Sequence, residues 1–145
     1  MAGISNAEHL RQWLLGCGAI DRTKRFGVDW LGDGADGYAL VTEPSPLKWK
    51  ANVLGECRPE AEQAQDFLFE ARACYGADAA QNLANLVLCQ DVMNWIVARN
   101  AARVFPRWEG GVVTGVTPTL TGAPIAFGAG SARYQIQIRV NYRME

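Results

Sequence analysis

The sequence predicts an α+β fold: a single domain, 1–145, whose mostly antiparallel sheet carries two helices on one face. Three observations predict it. The periodic segments come in the order helix, strands, helix, strands. No βαβ alternation and no internal repeat at a fixed period runs through the chain. The end of the chain alternates strictly, with Tyr134, Ile136, Ile138, Val140 and Tyr142 apolar between Arg133, Gln135, Gln137, Arg139, Asn141 and Arg143. That pattern is a strand with one buried and one wet face.

The first helix opens at Ser5. Ser5-Asn6-Ala7-Glu8 has capping-box spacing, with the Ser5 hydroxyl facing the Glu8 N–H and Glu8 reaching back. Leu10, Trp13, Leu14 and Cys17 share one helical face, and Gly16 and Gly18 offer a stop. Segment 26–31 is then loosely extended. Segment 32–37, GDGADG, is a turn-rich connector, and 38–42 has strand character that Pro44 and Pro46 end.

A long hairpin is expected over about residues 47–76, with 47–54 as one arm and 65–75 as the other. In the second arm Phe67, Phe69, Ala71, Ala73 and Tyr75 share a face, opposite Leu68, Glu70, Arg72 and Cys74. The polar, acidic stretch 55–62 between the arms is expected to be a mobile loop. Asp78 caps the second helix, with Gln81 as its return partner. Leu83, Leu86, Val87, Met93, Ile96 and Val97 build its apolar stripe, which runs to about Ala102. Asn82, Asn85 and Asn94 are weak helix formers inside it, either solvated or held by specific partners. Segment 111–120 is a strand broken by Pro118, 121–124 a turn, and 126–131 a small, glycine-rich run.

Composition narrows the function. The 145 residues fit one domain, and the 49% apolar content is that of a globular chain. With 14 basic against 15 acidic residues the net charge is −1, which lacks the footprint of a dedicated nucleic-acid binder. No apolar run approaches the roughly 20 residues of a membrane-spanning helix. The N-terminus shows no secretory pattern, so the expected address is the cytosol or a particle assembled there.

The search for chemistry returns no motif. Cys17, Cys57, Cys74 and Cys89 contain no C-x-x-C pair and are expected to be reduced, mostly buried thiols. His9, the one histidine, is expected to be solvated. Asp29, Asp33 and Asp36 lie among glycines without the ligand order of a calcium loop, which leaves a turn role. Glu56, Glu60, Glu62 and Asp66 could pair as acid–base carboxylates, but read better as a solvated acidic loop. No phosphate-binding glycine motif occurs, and Gly128-Ala129-Gly130-Ser131 precedes a strand. No catalytic, cofactor or metal residue is expected. Trp13 and Trp95 fall near the helical stripes, whereas Trp49, between Lys48 and Lys50, suits an interface.

The stretch 69–86 (FEARACYGADAAQNLANL), Trp95, the ending 131–142 (SARYQIQIRVNY), and VDWL and YAL at 28–31 and 38–40 resemble a known family. Small tail proteins encoded by phages and prophages of Gram-positive bacteria carry similar stretches. In size and element order the chain is similar to the tail terminator, or tail completion, proteins of long-tailed phages. The resemblance implies an α+β subunit assembled as a ring, commonly of six copies. The ring caps the tail tube, ends its polymerisation and meets the neck of the head.

The implied partners are therefore other copies of the chain, the tail tube protein and the head–tail connector or neck proteins. Neither a membrane nor a sequence-specific nucleic acid is among them, DNA passing only through the ring lumen. The implied location is the head-proximal end of the virion tail, assembled in the host cytoplasm. Segment 55–65 departs from the family pattern in being longer and richer in Glu.

A closed ring needs two different complementary patches on each subunit. Lys48, Trp49, Lys50, Glu56, Arg58, Glu60 and Glu62 are expected at a subunit or tube contact. Arg133, Arg139 and Arg143, one-sided on the last strand, are expected at or near a subunit face. The competing readings are a head–tail connector or head-completion protein, often of twelve copies, a small enzyme using Cys74 or Cys89, and a ligand-binding domain with a deep apolar pocket.

Overall fold

The computed structural model describes residues 3–32, 36–128 and 130–145. Asp33, Gly34 and Ala35 of the expected connector and Ala129 of the glycine-rich run lie outside the described residues, as do Met1 and Ala2. The elements are α1 (Asn6–Leu14), β1 (Phe26–Val28), β2 (Gly37–Thr42), β3 (Trp49–Ala51), β4 (Cys57–Pro59), β5 (Glu62–Cys74), α2 (Ala79–Ala101), β6 (Gly111–Gly128) and β7 (Ser131–Met144). Five strands form one sheet in the order β1-β2-β5-β7-β6, and β3 with β4 forms a separate two-stranded ribbon. Every pairing is antiparallel except β1 with β2. The fold is the expected α+β arrangement, with the parallel β1 as an added edge.

Ser5 caps α1 by accepting from the Ala7 N–H at 3.2 Å, and the Glu8 N–H goes to the Ser5 carbonyl instead. Glu8 does not reach back. Its carboxylate takes both near nitrogens of Arg11 at 2.7 Å, which holds it below the usual carboxylate range. Asp78 likewise caps α2 through the Ala80 N–H, while Gln81 turns to Asn85. A charged or amide partner within the helix outcompetes the weaker return bond in both places.

The expected 47–76 hairpin is not formed. Its second arm is β5, which lies at the sheet centre between β2 and β7, with Phe67, Phe69 and Ala71 buried on the helix side. Its first arm supplies only β3, which pairs with β4 from the expected loop, so 55–62 contains a strand and is not a free loop. Alternation in 67–75 identified the face but carried no information on which strand lies beside it.

The β6 segment also differs from expectation, running unbroken through Pro118 and 121–124. It is an edge strand, where a missing N–H can face outward, and its pairing with β7 shifts register four times.

Both helices cover the same face. α1 lies over β1 and β2, α2 over β5, β6 and β7, and Trp13 meets Trp95 between them with ring centroids 4.7 Å apart. Leu10, Leu14, Leu40, Phe67, Phe69, Val92, Ile96, Ile136 and Ile138 form one continuous core. Gly122 lets β6 approach the helix, since a β-carbon there would collide with Cβ and Sγ of Cys89. Among the described residues the other sheet face has no helix on it, and it carries the polar phase of β5 and β7.

Candidate functional site

The β3–β4 ribbon packs against no other helix or strand among the described residues. Residues opposite each other in an antiparallel pair share a face. Trp49 with Pro59 and Ala51 with Cys57 therefore line one side, and Lys50 with Arg58 the other. Two like charges directly opposite are destabilising. Neither has an ion pair among the described residues.

Asn52 builds the turn. Its side-chain oxygen accepts from the Leu54 and Glu56 N–H groups, and its amide donates to the Glu56 carboxylate. Gly55 takes the left-handed conformation the turn requires, at φ 81°. Trp49 is 55% exposed, Leu54 79% and Val53 fully exposed.

Gln63, a residue the sequence reading passed over, anchors the ribbon. It is buried on β5, where its Oε1 accepts from the Lys48 N–H at 2.9 Å and its Nε2 donates to the Lys48 carbonyl at 2.8 Å. The same nitrogen donates to the Glu60 carbonyl at 3.0 Å, and the Glu60 N–H closes the base on Lys48. The available signal was its phase, since Gln63 falls on the same parity as Phe67 and Phe69.

The expected basic stripe is neutralised within the chain. Arg143 pairs with Glu62 at 3.4 Å, Arg139 with Asp66 at 2.9 Å, and Arg133 with Glu70 at 3.6 Å. The first two pairs are directly opposed in the β5–β7 register. Asp66 holds the Arg139 guanidinium above its ordinary value through their hydrogen bond. Glu70, expected on a half-exposed face, is buried in the central strand between Ala39 and Gln135. The structure thus separates the four carboxylates of 56–66. Glu62 and Asp66 join the ladder, and Glu56 and Glu60 stay with the ribbon.

Lys48, Trp49, Lys50, Glu56, Arg58 and Glu60 come together on the ribbon. Glu62, Arg133, Arg139 and Arg143 lie on the open sheet face.

A second surface was missed. The buried side of α2 is Asn85, Cys89, Val92 and Ile96. Leu83, Leu86, Val87 and Val97 of the expected core stripe instead face outward and are exposed. Apolar residues occupy two sides of α2, so spacing alone could not choose its phase. Asn85 settles it by donating to the Cys74 carbonyl at 2.7 Å and the Tyr134 hydroxyl at 3.3 Å. Asn82 is held by Gly76, and Asn94 is exposed.

His9 is buried, not solvated, and its Nε2 lies 3.1 Å from the Glu109 carboxylate. With the bond from the Glu109 N–H to the Asn6 side chain, this pair staples segment 106–110 to α1. It borders a cleft of about 560 Å³, whose lining offers no Ser, Thr, Cys or Lys nucleophile among the described residues. Two cysteines are buried and two exposed, against the expectation that most are buried. Burial pushes the Cys89 thiol up to about 11 and raises Cys17, so both stay protonated near neutral pH. Asp29 takes φ 58° and accepts from the Thr42 N–H and hydroxyl, a turn role.

No protein-family model matches the chain, and no curated protein matches it in sequence. Among the described residues no helix is long and apolar enough to cross a membrane.

Proposed function

We propose that this chain is a structural subunit of a phage tail. Copies of it form a ring that caps the tail tube, ends tube polymerisation and joins the tail to the neck. One observation carries the reading: the β3–β4 ribbon leaves the sheet, packs against no other helix or strand among the described residues and ends in exposed Val53 and Leu54. A monomer gains nothing from ordering such an arm in water, whereas a subunit gains the burial of its apolar end in a neighbour. The outward stripe on α2 is a second, unlike apolar surface, and two unlike surfaces are what a head-to-tail ring requires. The resemblance to tail terminator proteins adds the tube and neck as partners and the virion tail as location.

Light scattering and negative-stain electron microscopy of the purified chain test this. A closed ring with a central hole is expected, with capsid and tail-tube genes flanking its gene. A strict monomer, even when mixed with the tube protein encoded beside it, overturns the reading. Twelve copies on the head side of the joint would assign a head–tail connector instead.

A further inference from the structure

Two apolar surfaces of this chain are exposed, and they differ in the sign of their net charge. At the ribbon end Val53 and Leu54 are exposed, and Trp49 is exposed on β3. The α2 side is a ridge of Leu83, Leu86 and Val87 beside a groove of about 270 Å³, which Leu86, Met93 and Thr121 line. That volume falls below the roughly 300–1,000 Å³ of small-molecule sites and suits inserted side chains. Its floor is the close approach of Gly122 to Cys89.

The charges agree. The ribbon carries Lys48, Lys50 and Arg58 beside Glu56 and Glu60, a net charge of +1, and none of its three cations is ion-paired among the described residues. Along α2 the charged residues are Asp91 and Arg99, and Arg99 is turned over the Trp95 ring at 5.2 Å. The exposed charge on the outward side is thus the carboxylate of Asp91.

The ribbon makes no contact with its own α2, so the two surfaces meet only between molecules. Specific interfaces bury about 1,000 Å² or more in total. Several large apolar side chains on each side, with the ribbon's flanks, are needed to reach that area, and both surfaces present them.

We propose that the β3–β4 ribbon of one copy docks end-first on the α2 stripe and its groove in the next copy. This rests on the ring reading and names its subunit contact. One surface is used as donor and the other as acceptor, so the contact repeats around a closed ring.

Two double variants test it: V53D/L54D at the ribbon end and L83D/V87D on the stripe. All four residues are exposed, so circular dichroism and melting should match the parent. Each variant alone should give a light-scattering mass of one 15.8 kDa chain. A one-to-one mixture contains one intact pair of surfaces and should give a dimer at twice that mass, with nothing larger.

As a second measurement that does not depend on charged substitutions, L54C and V87C are placed in a chain with C57S and C74S. They should form a disulfide between copies on oxidation. Variants that assemble like the parent, or a mixture that stays monomeric while the parent assembles, overturn the docking and leave the ring reading standing. A parent chain that never assembles overturns both.

Discussion

A side-chain amide has the donor and acceptor of a peptide unit, and Gln63 uses both against Lys48 while also reaching Glu60. Replacing it by alanine takes the side-chain partner from the part-buried Lys48 N–H and Glu60 carbonyl, while the Lys48 carbonyl keeps the Glu60 N–H. Unmet groups of this kind cost about 1–3 kcal/mol each when water cannot replace the lost bond. The damage should stay local, because the ribbon packs on no other helix or strand among the described residues. In Gln63→Ala, amide exchange across 48–60 should accelerate at least tenfold while the core strands keep their protection. Unchanged ribbon exchange would mean that the strand pairing alone holds it.

Cys89 makes a second residue-scale prediction. Its ordinary value of 9.0 describes the unfolded chain, and burial raises the folded one to about 11. The folded chain therefore keeps its proton through a window in which the unfolded chain loses it. The contribution to stability is complete below pH 9 and declines as pH rises toward 11, at about 1.4 kcal/mol per unit at most. Denaturant midpoints between pH 8 and 11 should fall more steeply in the parent than in Cys89→Ala. Equal slopes would contradict the burial of the thiol.

At the scale of elements, α2 shows how far a sequence pattern carries. Its start at Asp78 and its length are legible from the cap and the apolar spacing. Its rotation is not, because Leu83, Val87 and Val97 make as good a stripe as Cys89, Val92 and Ile96. The polar residue decides, since Asn85 has buried partners only if turned inward. The phase has a direct test. Ile96→Ala should cost about 2–5 kcal/mol as a core cavity. Val87→Gln should stay within about 0.5 kcal/mol, as exposed substitutions do. The reverse order in chemical denaturation would put the other side inward.

The sheet divides in the same way. The β7 strand was legible whole, since strict alternation states both its face and its conformation. Strand β5 was legible by face but not by neighbour, because pairing with β2 and β7 is a long-range choice that alternation does not encode. The β6 prolines suggested breaks because their tolerance depends on the strand lying at an edge, a fact of topology. The arginine stripe was found, but the carboxylates that pair with it lie about 60–80 residues away in the chain, beyond any local pattern.

For the whole molecule, the ribbon and the sheet are separable parts. The core cluster contains no residue from 43–66, so folding should not depend on the ribbon. Its base is narrow, with the Glu60 N–H 2.9 Å from the Lys48 carbonyl, so a short glycine turn can replace residues 49–59 without moving Lys48 or Glu60. The shortened chain should keep its circular dichroism and melt within a few degrees of the parent, because loop shortening changes closure entropy by only about 0.6 kcal/mol per halving. Gln63 would keep its bonds to Lys48 and Glu60, which preserves the start of β5. Assembly should disappear, since one of the two apolar surfaces has been removed while the α2 stripe remains. A shortened chain that aggregates or loses its melting transition would make the ribbon part of the fold. One that folds and still assembles would move the subunit contact elsewhere, to the open sheet face or the edge of β6.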